Sequence, residues 1–123
     1  LSSIITDVQP DVVVHAAAMS SPKLCEANPE DAMRTNCPKL LLATVKALTP
    51  SATIIYISTD QVYAGESPHA DYTDGPHTPT VLKPRNQYGK TKLAFEDLLR
   101  SSWYGVVGGG GVLLWNGVVG GGG

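Results

Sequence analysis

Hydrophobic positions in the first part of the chain change from helical spacing to a short unbroken run. Four apolar residues near the start follow the i, i+3, i+4, i+7 spacing of an amphipathic helix: Leu1, Ile4, Ile5 and Val8. Pro10 ends this predicted helix because proline lacks the amide that would continue it. The run 12–14 (Val-Val-Val) has no polar alternation, which predicts a central parallel strand buried on both faces.

A second helix and a second strand are predicted further on. Asn28 can cap a helix and Pro29 suits its first turn, so we expect a helix to Asn36 that restarts after Pro38. The restarted part has a predicted buried stripe formed by three apolar residues: Leu41, Val45 and Leu48. The residues at 53–57 (Thr-Ile-Ile-Tyr-Ile) predict a buried strand. Two strands joined through helices favour a right-handed βαβ unit with a parallel sheet.

The last third of the chain contains a loop, a helix and a repetitive end. Residues 67–86 are rich in Pro, Thr, His and Asp and predict a long loop, and a helical pattern runs from Gln87 to about Ser102. Residues 103–123 repeat WYGVVGGGG as WNGVVGGGG and have no charge. Such glycine-rich sequence poorly offsets the entropy of ordering, so we expect a disordered or artefactual tail. A membrane span is the weaker alternative because glycine contributes little hydrophobicity.

Charge and cysteine content narrow the class of protein. The net charge is −2 and no run of Lys or Arg could follow a phosphate backbone, which argues against nucleic-acid binding. Residues 1–8 lack the basic region and long apolar run of a secretory signal. Cys25 and Cys37 lack CxxC spacing, and we expect two reduced thiols and no metal site, although a disulfide between them stays open. These features predict a cytoplasmic protein without a membrane anchor.

One pair of polar residues on the last predicted helix could transfer protons. Tyr88 and Lys92 are four residues apart, so they lie on one helix face. An ammonium beside a phenol favours the phenolate, which lets such a pair act as acid and base near neutrality. The same spacing is common on solvated helices, so the pair alone is a weak signal.

Two other segments make the pair more informative. Ser58 and Thr59 follow the second predicted strand, where a hydroxyl could bind a substrate carbonyl, although the two residues could also simply begin a turn. The small residues at 16–18 follow the first strand and would let a flat cofactor approach the backbone. The alternative for the alanines is close packing.

Three ordered motifs now give a specific resemblance over residues 1–100. HAAA at 15–18, STDQVYAG at 58–65 and NQYGKTKLAFE at 86–96 resemble the extended short-chain dehydrogenase/reductase family. The STDxV form resembles its dTDP-4-dehydrorhamnose reductase branch, which includes the regulatory beta subunits of methionine adenosyltransferase. The resemblance implies an α/β fold in which residues 1–102 form the central part of a Rossmann-type NAD(P)-binding domain. Residues 103–123 lie outside the resemblance and form the predicted glycine-rich tail.

Carried over by motif, the resemblance implies three catalytic residues. Tyr88 matches the catalytic tyrosine, Lys92 matches the lysine that binds the nicotinamide ribose and tunes the tyrosine, and Thr59 matches the substrate-orienting hydroxyl. Asn36 matches a helix asparagine that supports the site, and Ser58 matches a residue on the nicotinamide side of the cofactor. The stretch beside the adenosine and pyrophosphate half of NADP or NAD matches three residues: Ala16, Ala17 and Ala18.

One departure from the family pattern affects the expected architecture. No GxxGxxG turn precedes Val12, so the sheet is expected to be a partial doubly wound sheet without its first βαβ unit. Because the helical pattern begins at Leu1 without a cap, we also expect the chain to be a fragment.

Two functions stay open on the sequence. The first is reduction of a nucleotide-linked 4-keto sugar by an NAD(P)-dependent enzyme. On this interpretation the enzyme could assemble as a homodimer. The second is a non-catalytic, cofactor-binding regulatory subunit whose partner is a methionine adenosyltransferase catalytic subunit. On either interpretation, a truncated chain could be inactive by itself.

Overall fold

Both predicted strands form, and they lie side by side in a computed structural model that describes residues 1–63 and 82–101. Along the chain the elements are α1 (Ser2–Val8), β1 (Val12–His15), α2 (Pro22–Ala27), α3 (Pro29–Asn36), α4 (Lys39–Leu48), β2 (Thr53–Tyr56), a short 3-10 helix (Asp60–Val62) and α5 (Gln87–Leu99). Most of the predicted loop at 67–86 and the whole of 103–123 lie outside the described residues.

The strands β1 and β2 pair in parallel, which confirms the predicted α/β class and the βαβ connection. The register places Val12 opposite Thr53 and His15 opposite Tyr56. The backbone amide of Ile57 donates to the carbonyl oxygen of His15, so the pairing continues to the carboxyl ends of both strands. The ends of both strands therefore meet at one edge of the sheet, where ligands bind in open α/β folds.

The prediction that the Val12–Val14 run is buried on both faces is wrong for the described residues. Val12 is 50% exposed and Val14 is 57% exposed, whereas His15 is buried. On β2 the residues alternate, with Ile54 and Tyr56 fully buried. One face of the sheet therefore packs against the core, and the described elements cover the other face only in part.

The middle helices agree with the pattern except in their capping and in part of their buried stripe. The Asn28 side chain donates to the carbonyl oxygen of Leu24 and does not cap α3. The short helix α2 was not predicted, although Ser21 caps it by accepting from the amide of Leu24. In α4 Val45 is buried as predicted and Leu41 packs partly buried against the core, whereas Leu48 is 38% exposed. Leu42 is buried as well, although it was not predicted to be.

Helix α5 joins the core to the strand ends. Phe95 and Leu99 are buried in it, and the Phe95 ring packs 4.6 Å from the ring of Tyr56 between centroids. The core cluster also includes residues from α1, α4 and β2 such as Ile5, Val45 and Ile54. This packing fixes the helix that carries Tyr88 and Lys92 against β2. None of the helices in residues 1–63 and 82–101 is long and apolar enough to cross a membrane.

Candidate active site

The first turn of α5 is held close to the segment that follows β2. Asn86 caps the helix by accepting from the amide of Gly89 at 2.7 Å, and its side-chain amide donates to Gln61 Oε1 at 2.6 Å. A methyl group at Gly89 would overlap the carbonyl oxygen of Gln61 and would lie 2.8 Å from Pro84 Cβ. Glycine therefore permits a close approach between the helix start and the 3-10 helix, and a side chain there would separate them.

Lys92 is buried at the centre of the site and is 2% exposed. Its Nζ atom donates to the carbonyl oxygen of Ile57 at 2.7 Å and lies 4.7 Å from the ring centroid of Tyr56. Burial lowers the pKa of the Lys92 ammonium to about 8, and the charges of Glu96 and Cys25 oppose that shift. The lysine thus has an ammonium at neutral pH that loses its proton far more readily than in water.

Tyr88 lies one helical turn before Lys92, as the i, i+4 spacing predicts. The Nζ atom of Lys92 is 6.0 Å from the centroid of the Tyr88 ring, and the tyrosine is partly exposed. The ammonium therefore lies within the range in which it acts electrostatically on the phenol ring.

The predicted hydroxyl residues follow directly after β2. Ser58 and Thr59 are both buried, and the Ser58 hydroxyl donates to Glu96 Oε2 at 3.0 Å. The Thr59 hydroxyl oxygen accepts from the amide of Gln61 at 3.2 Å, so it also begins the turn that was the alternative interpretation. Thr59 thus lies in the chain between Ile57, which Lys92 contacts, and the 3-10 helix, which packs against the first turn of α5, and its contact with a substrate stays a prediction.

Asn36 connects four parts of the fold through buried hydrogen bonds. Its Oδ1 accepts from the amide of Met19 at 2.8 Å, and its Nδ2 donates to the Met19 carbonyl and to Thr91 Oγ1, each at 3.0 Å. Its main-chain oxygen accepts from the Tyr56 hydroxyl. Since Thr91 Oγ1 donates to the carbonyl oxygen of Tyr88, the asparagine ties the loop after β1 to the helix turn that bears the tyrosine. This arrangement favours a supporting role.

The loop after β1 presents the three predicted cofactor-contacting alanines at the surface. Ala16, Ala17 and Ala18 are all exposed, and they follow His15 at the carboxyl end of the strand. The buried Nδ1 of His15 has no hydrogen-bond partner among the described residues. Burial, followed by the Lys92 charge, lowers the His15 pKa, which favours the neutral ring. The surface is accessible to a ligand, and its use by a cofactor stays a prediction.

Three groups near the site were not singled out from the sequence. Glu96 is 1% exposed and accepts from Ser58, and burial raises the pKa of its carboxyl against the opposing charge of Arg100. His15 and Tyr56 stack with ring centroids 5.6 Å apart, and burial raises the pKa of Tyr56. Glu96 was detectable in principle because it continues the i, i+4 spacing of Tyr88 and Lys92.

The cysteines agree with the prediction of two thiols. Cys25 and Cys37 are both free and buried. The Cys25 Sγ atom donates to the carbonyl oxygen of Met19 at 3.2 Å. Burial raises the pKa of each thiol, so both are poor thiolates at neutral pH.

Comparison with protein families decides where this arrangement belongs. Residues 1–107 match the family described as the RmlD substrate binding domain. The chain belongs to this family. This membership confirms the resemblance to dTDP-4-dehydrorhamnose reductases within the extended short-chain dehydrogenase/reductases.

Two curated relatives show the range of proteins similar to this RmlD-type chain. The methionine adenosyltransferase 2 subunit beta of Bos taurus is 39% identical over 93 residues, which are 76% of this chain and 26% of that protein. The dTDP-4-dehydrorhamnose reductase of Salmonella typhimurium is 32% identical over 103 residues, or 83% of this chain and 32% of that protein. The chain therefore spans about a quarter to a third of the length of these relatives.

A solved structure confirms the Rossmann-like fold. RMD from Pseudomonas aeruginosa, complexed with NADPH, is 28% identical and superposes with a TM-score of 0.67. The match covers 94% of this chain and 38% of that protein. The RmlD-type chain thus corresponds to a part of a larger cofactor-binding fold.

Proposed function

We propose that this chain supplies the acid/base part of an NAD(P)-dependent reductase that acts on a nucleotide-linked 4-keto sugar. The observation that carries the proposal is the face of α5. Tyr88 and the buried Lys92 lie on it, and Lys92 donates to the Ile57 carbonyl directly before Ser58 and Thr59. The Lys92 ammonium therefore lies at the carboxyl end of β2, directly before the segment that contains Thr59, and within 6.0 Å of the Tyr88 ring centroid, which supports assigning these three groups to the reaction.

The proposed roles follow from the chemistry of the three groups. The nicotinamide supplies the hydride when it is bound. The Thr59 hydroxyl donates to the keto oxygen and holds it, and the Tyr88 hydroxyl gives that oxygen its proton. The Lys92 ammonium stabilises the phenolate left on Tyr88 and offers its remaining N–H groups to the ribose. Orienting the keto group between two hydroxyls contributes to the rate by removing the entropy of alignment.

The cofactor surface proposed for this chain is the edge where both strands end. The exposed backbone at Ala16, Ala17 and Ala18 has no large side chain to exclude a flat adenosine and pyrophosphate. Asn36 fixes that loop through Met19, and Ser58 and Lys92 lie at the neighbouring strand end. The residues present therefore fit a dinucleotide, and the NADPH bound to the Pseudomonas relative supports the same class of cofactor.

A direct test uses the full-length protein with NADPH or NADH and a dTDP-4-keto sugar. We expect cofactor oxidation that depends on the sugar and that falls strongly in a Thr59→Val variant, which keeps the shape of the side chain and loses its hydroxyl. A Thr44→Val variant is a matched control, since Thr44 bonds to the carbonyl of Leu40 within α4. Equal turnover in wild type and Thr59→Val would contradict the proposed role of the hydroxyl.

A second function is favoured by one specific observation. The identity to the methionine adenosyltransferase beta subunit of Bos taurus is 39%, compared with 32% to the Salmonella reductase. On this alternative the chain belongs to a cofactor-binding subunit that assists a methionine adenosyltransferase catalytic subunit. Co-purification with such a subunit, together with no oxidation of NADPH by keto sugars, would establish this function in place of the reductase.

A further inference from the structure

Glu96 occupies a buried position behind the proposed acid/base pair. It lies four residues after Lys92 and eight after Tyr88, so the three side chains share one face of α5. Only 1% of Glu96 is exposed, although a carboxylate is costly to bury without partners. A buried acid at the end of this row therefore needs an explanation in its contacts.

Both carboxylate oxygens of Glu96 are bonded, and they connect different parts of the molecule. Oε2 accepts from the hydroxyl of Ser58 at 3.0 Å, thirty-eight residues away in the chain. Oε1 accepts from Nη2 of Arg100 at 3.2 Å within the helix. The Arg100 contact is local, whereas the Ser58 contact crosses from α5 to the end of β2.

The Ser58 contact is one of two neighbouring bonds between α5 and β2. Lys92 donates to the carbonyl of Ile57, and Glu96 accepts from the next residue, Ser58. Both bonds lie directly before Thr59. Together with the bond from Asn86 to Gln61, these two contacts hold the segment that contains Thr59 against the helix bearing Tyr88.

The two bonds differ in what they must do during the reaction. Lys92 donates one N–H to the Ile57 carbonyl and is proposed to donate its remaining N–H groups to the cofactor ribose, so a bound ligand also competes for the orientation of its ammonium. Glu96 is fully buried and has no such competing role. Its bond to Ser58 can therefore persist when a cofactor is bound and hold the strand end in place.

We infer that Glu96 is a positioning residue, which fixes Thr59 against Tyr88 by accepting the hydroxyl of Ser58. This inference rests on the proposed reductase function. A displaced hydroxyl or phenol misaligns the keto oxygen, and misplacement by about 1 Å can cost on the order of a hundredfold in rate. The acid itself takes no part in proton transfer.

The test is a set of variants in the full-length protein. We expect Glu96→Ala to lower kcat roughly ten- to a hundredfold, since it leaves Ser58 without its acceptor. The KM for the keto sugar should change less than kcat. Glu96→Gln keeps an acceptor oxygen for Ser58 and should restore most of the turnover. Asp97→Ala is the matched control, because Asp97 is an exposed acid on the same helix that also pairs with Arg100.

A double-mutant cycle separates positioning from a general loss of stability. If Glu96 acts through Ser58, the Ser58→Ala variant should lower kcat as well, and adding it to Glu96→Ala should cause little further loss. Additive losses, or a Glu96→Gln variant as impaired as Glu96→Ala at temperatures where both are folded, would overturn the inference.

Failure of the proposed function gives a different result. In that case the wild-type protein itself reduces no keto sugar. The same cycle is then measured on NADPH affinity, which depends on the placement of Lys92 and of the strand end. A coupled loss of affinity would support the positioning role, and independent effects of Glu96→Ala and Ser58→Ala would overturn it.

Discussion

The carboxyl ends of the two strands meet at one edge and differ in how they are built. At the end of β2, the buried side chains of α5 bond to the strand end: Lys92 donates to the carbonyl of Ile57, and Glu96 accepts from the hydroxyl of Ser58. At the end of β1, the loop at 16–18 is exposed and consists of alanine alone. The first region has fixed side chains, and the second offers an accessible backbone.

The difference follows from what each region is proposed to do. Proton transfer needs side chains held in one geometry, and buried polar contacts provide this at a cost in desolvation. Cofactor binding at the alanines needs close approach to the backbone, for which the absence of side-chain bulk is sufficient. Asn36 links the two ends, since it bonds to Met19 in the loop after β1 and to Thr91 in α5.

The largest combined effect on turnover and stability is expected on the β2 side from Gly89→Ala. In an exposed helix this change would add about 1 kcal/mol of stability. Here the methyl group would overlap the carbonyl of Gln61 and press on Pro84, so α5 must move away from the turn that contains Thr59. We expect turnover to fall by roughly a hundredfold, with a lower Tm.

Lys90→Ala provides the control for Gly89→Ala. Lys90 is exposed on the same helical turn, so its truncation should leave both turnover and Tm near the wild-type values. Kinetic assays and thermal unfolding of the two variants decide the point. A Gly89→Ala protein that is more stable and fully active would show that the close approach is unimportant.

Removing the link between the two regions should mainly affect stability. Asn36→Ala leaves the amide of Met19 without its acceptor, and an unsatisfied buried group costs about 1–3 kcal/mol. It also removes the Asn36 bonds to the Met19 carbonyl and the Thr91 hydroxyl, each of which contributes roughly 1 kcal/mol although both groups keep a second partner. We expect the free energy of unfolding in urea to fall by about 2–4 kcal/mol. Asn28→Ala is the comparison, since its side chain makes a single exposed bond. Equal losses in the two variants would refute the linking role.

The pH dependence should have opposite signs for activity and stability. Because the pKa of Lys92 is lowered to about 8, the ammonium that assists Tyr88 is lost above that pH, and turnover should fall about tenfold for each further pH unit. Between pH 8 and the ordinary lysine value of 10.5, the unfolded chain binds the proton and the folded chain does not. The contribution of this group to stability therefore rises over the same interval.

Two profiles measure this prediction. A pH–rate profile should show an alkaline limb near 8, and urea unfolding at the same pH values should show no parallel loss attributable to Lys92. An alkaline limb near pH 10.5 would mean that the lysine keeps its ordinary pKa in the folded protein.

The smallest effect on stability is expected on the β1 side. Ala17→Leu adds bulk to an exposed loop, so the free energy of unfolding should change by no more than about 0.5 kcal/mol. The affinity for NADPH, measured by fluorescence titration, should nevertheless fall about tenfold, which corresponds to about 1.4 kcal/mol. Ser3→Leu on the exposed face of α1 should leave the affinity unchanged. An unaltered affinity in Ala17→Leu would place the cofactor elsewhere.

Local patterns predicted which helices and strands form better than they predicted which of their residues are buried. Helical spacing and β-branched runs correctly indicated α1, α5 and both strands, because these signals depend on neighbouring residues. The exposure of Val12 and Val14 could not be inferred, since it depends on which elements cover the sheet. The helix α2 was missed although Ser21 and Pro22 form a recognisable start.

In the candidate site, too, features set by neighbouring residues were predictable, and features set by packing were not. The spacing of Tyr88 and Lys92 and the hydroxyls after β2 could be read from motifs. The bond from Ser58 to Glu96 and those from Asn36 to Met19 and Thr91 join residues far apart in the chain. The bonds to Glu96 and Thr91 arise only when α5 packs on the rest of the fold, and the bond to Met19 arises only when α3 packs beside the loop after β1. No local pattern specifies this packing.

The central claim is that Tyr88 acts as the proton donor to a keto oxygen. The most direct measurement is turnover of a Tyr88→Phe variant of the full-length protein on a dTDP-4-keto sugar, with NADPH affinity determined in parallel. We predict a loss of roughly a hundred- to ten-thousandfold in kcat with nearly unchanged affinity, since only the phenolic hydroxyl is removed. Wild-type turnover in Tyr88→Phe would contradict the account.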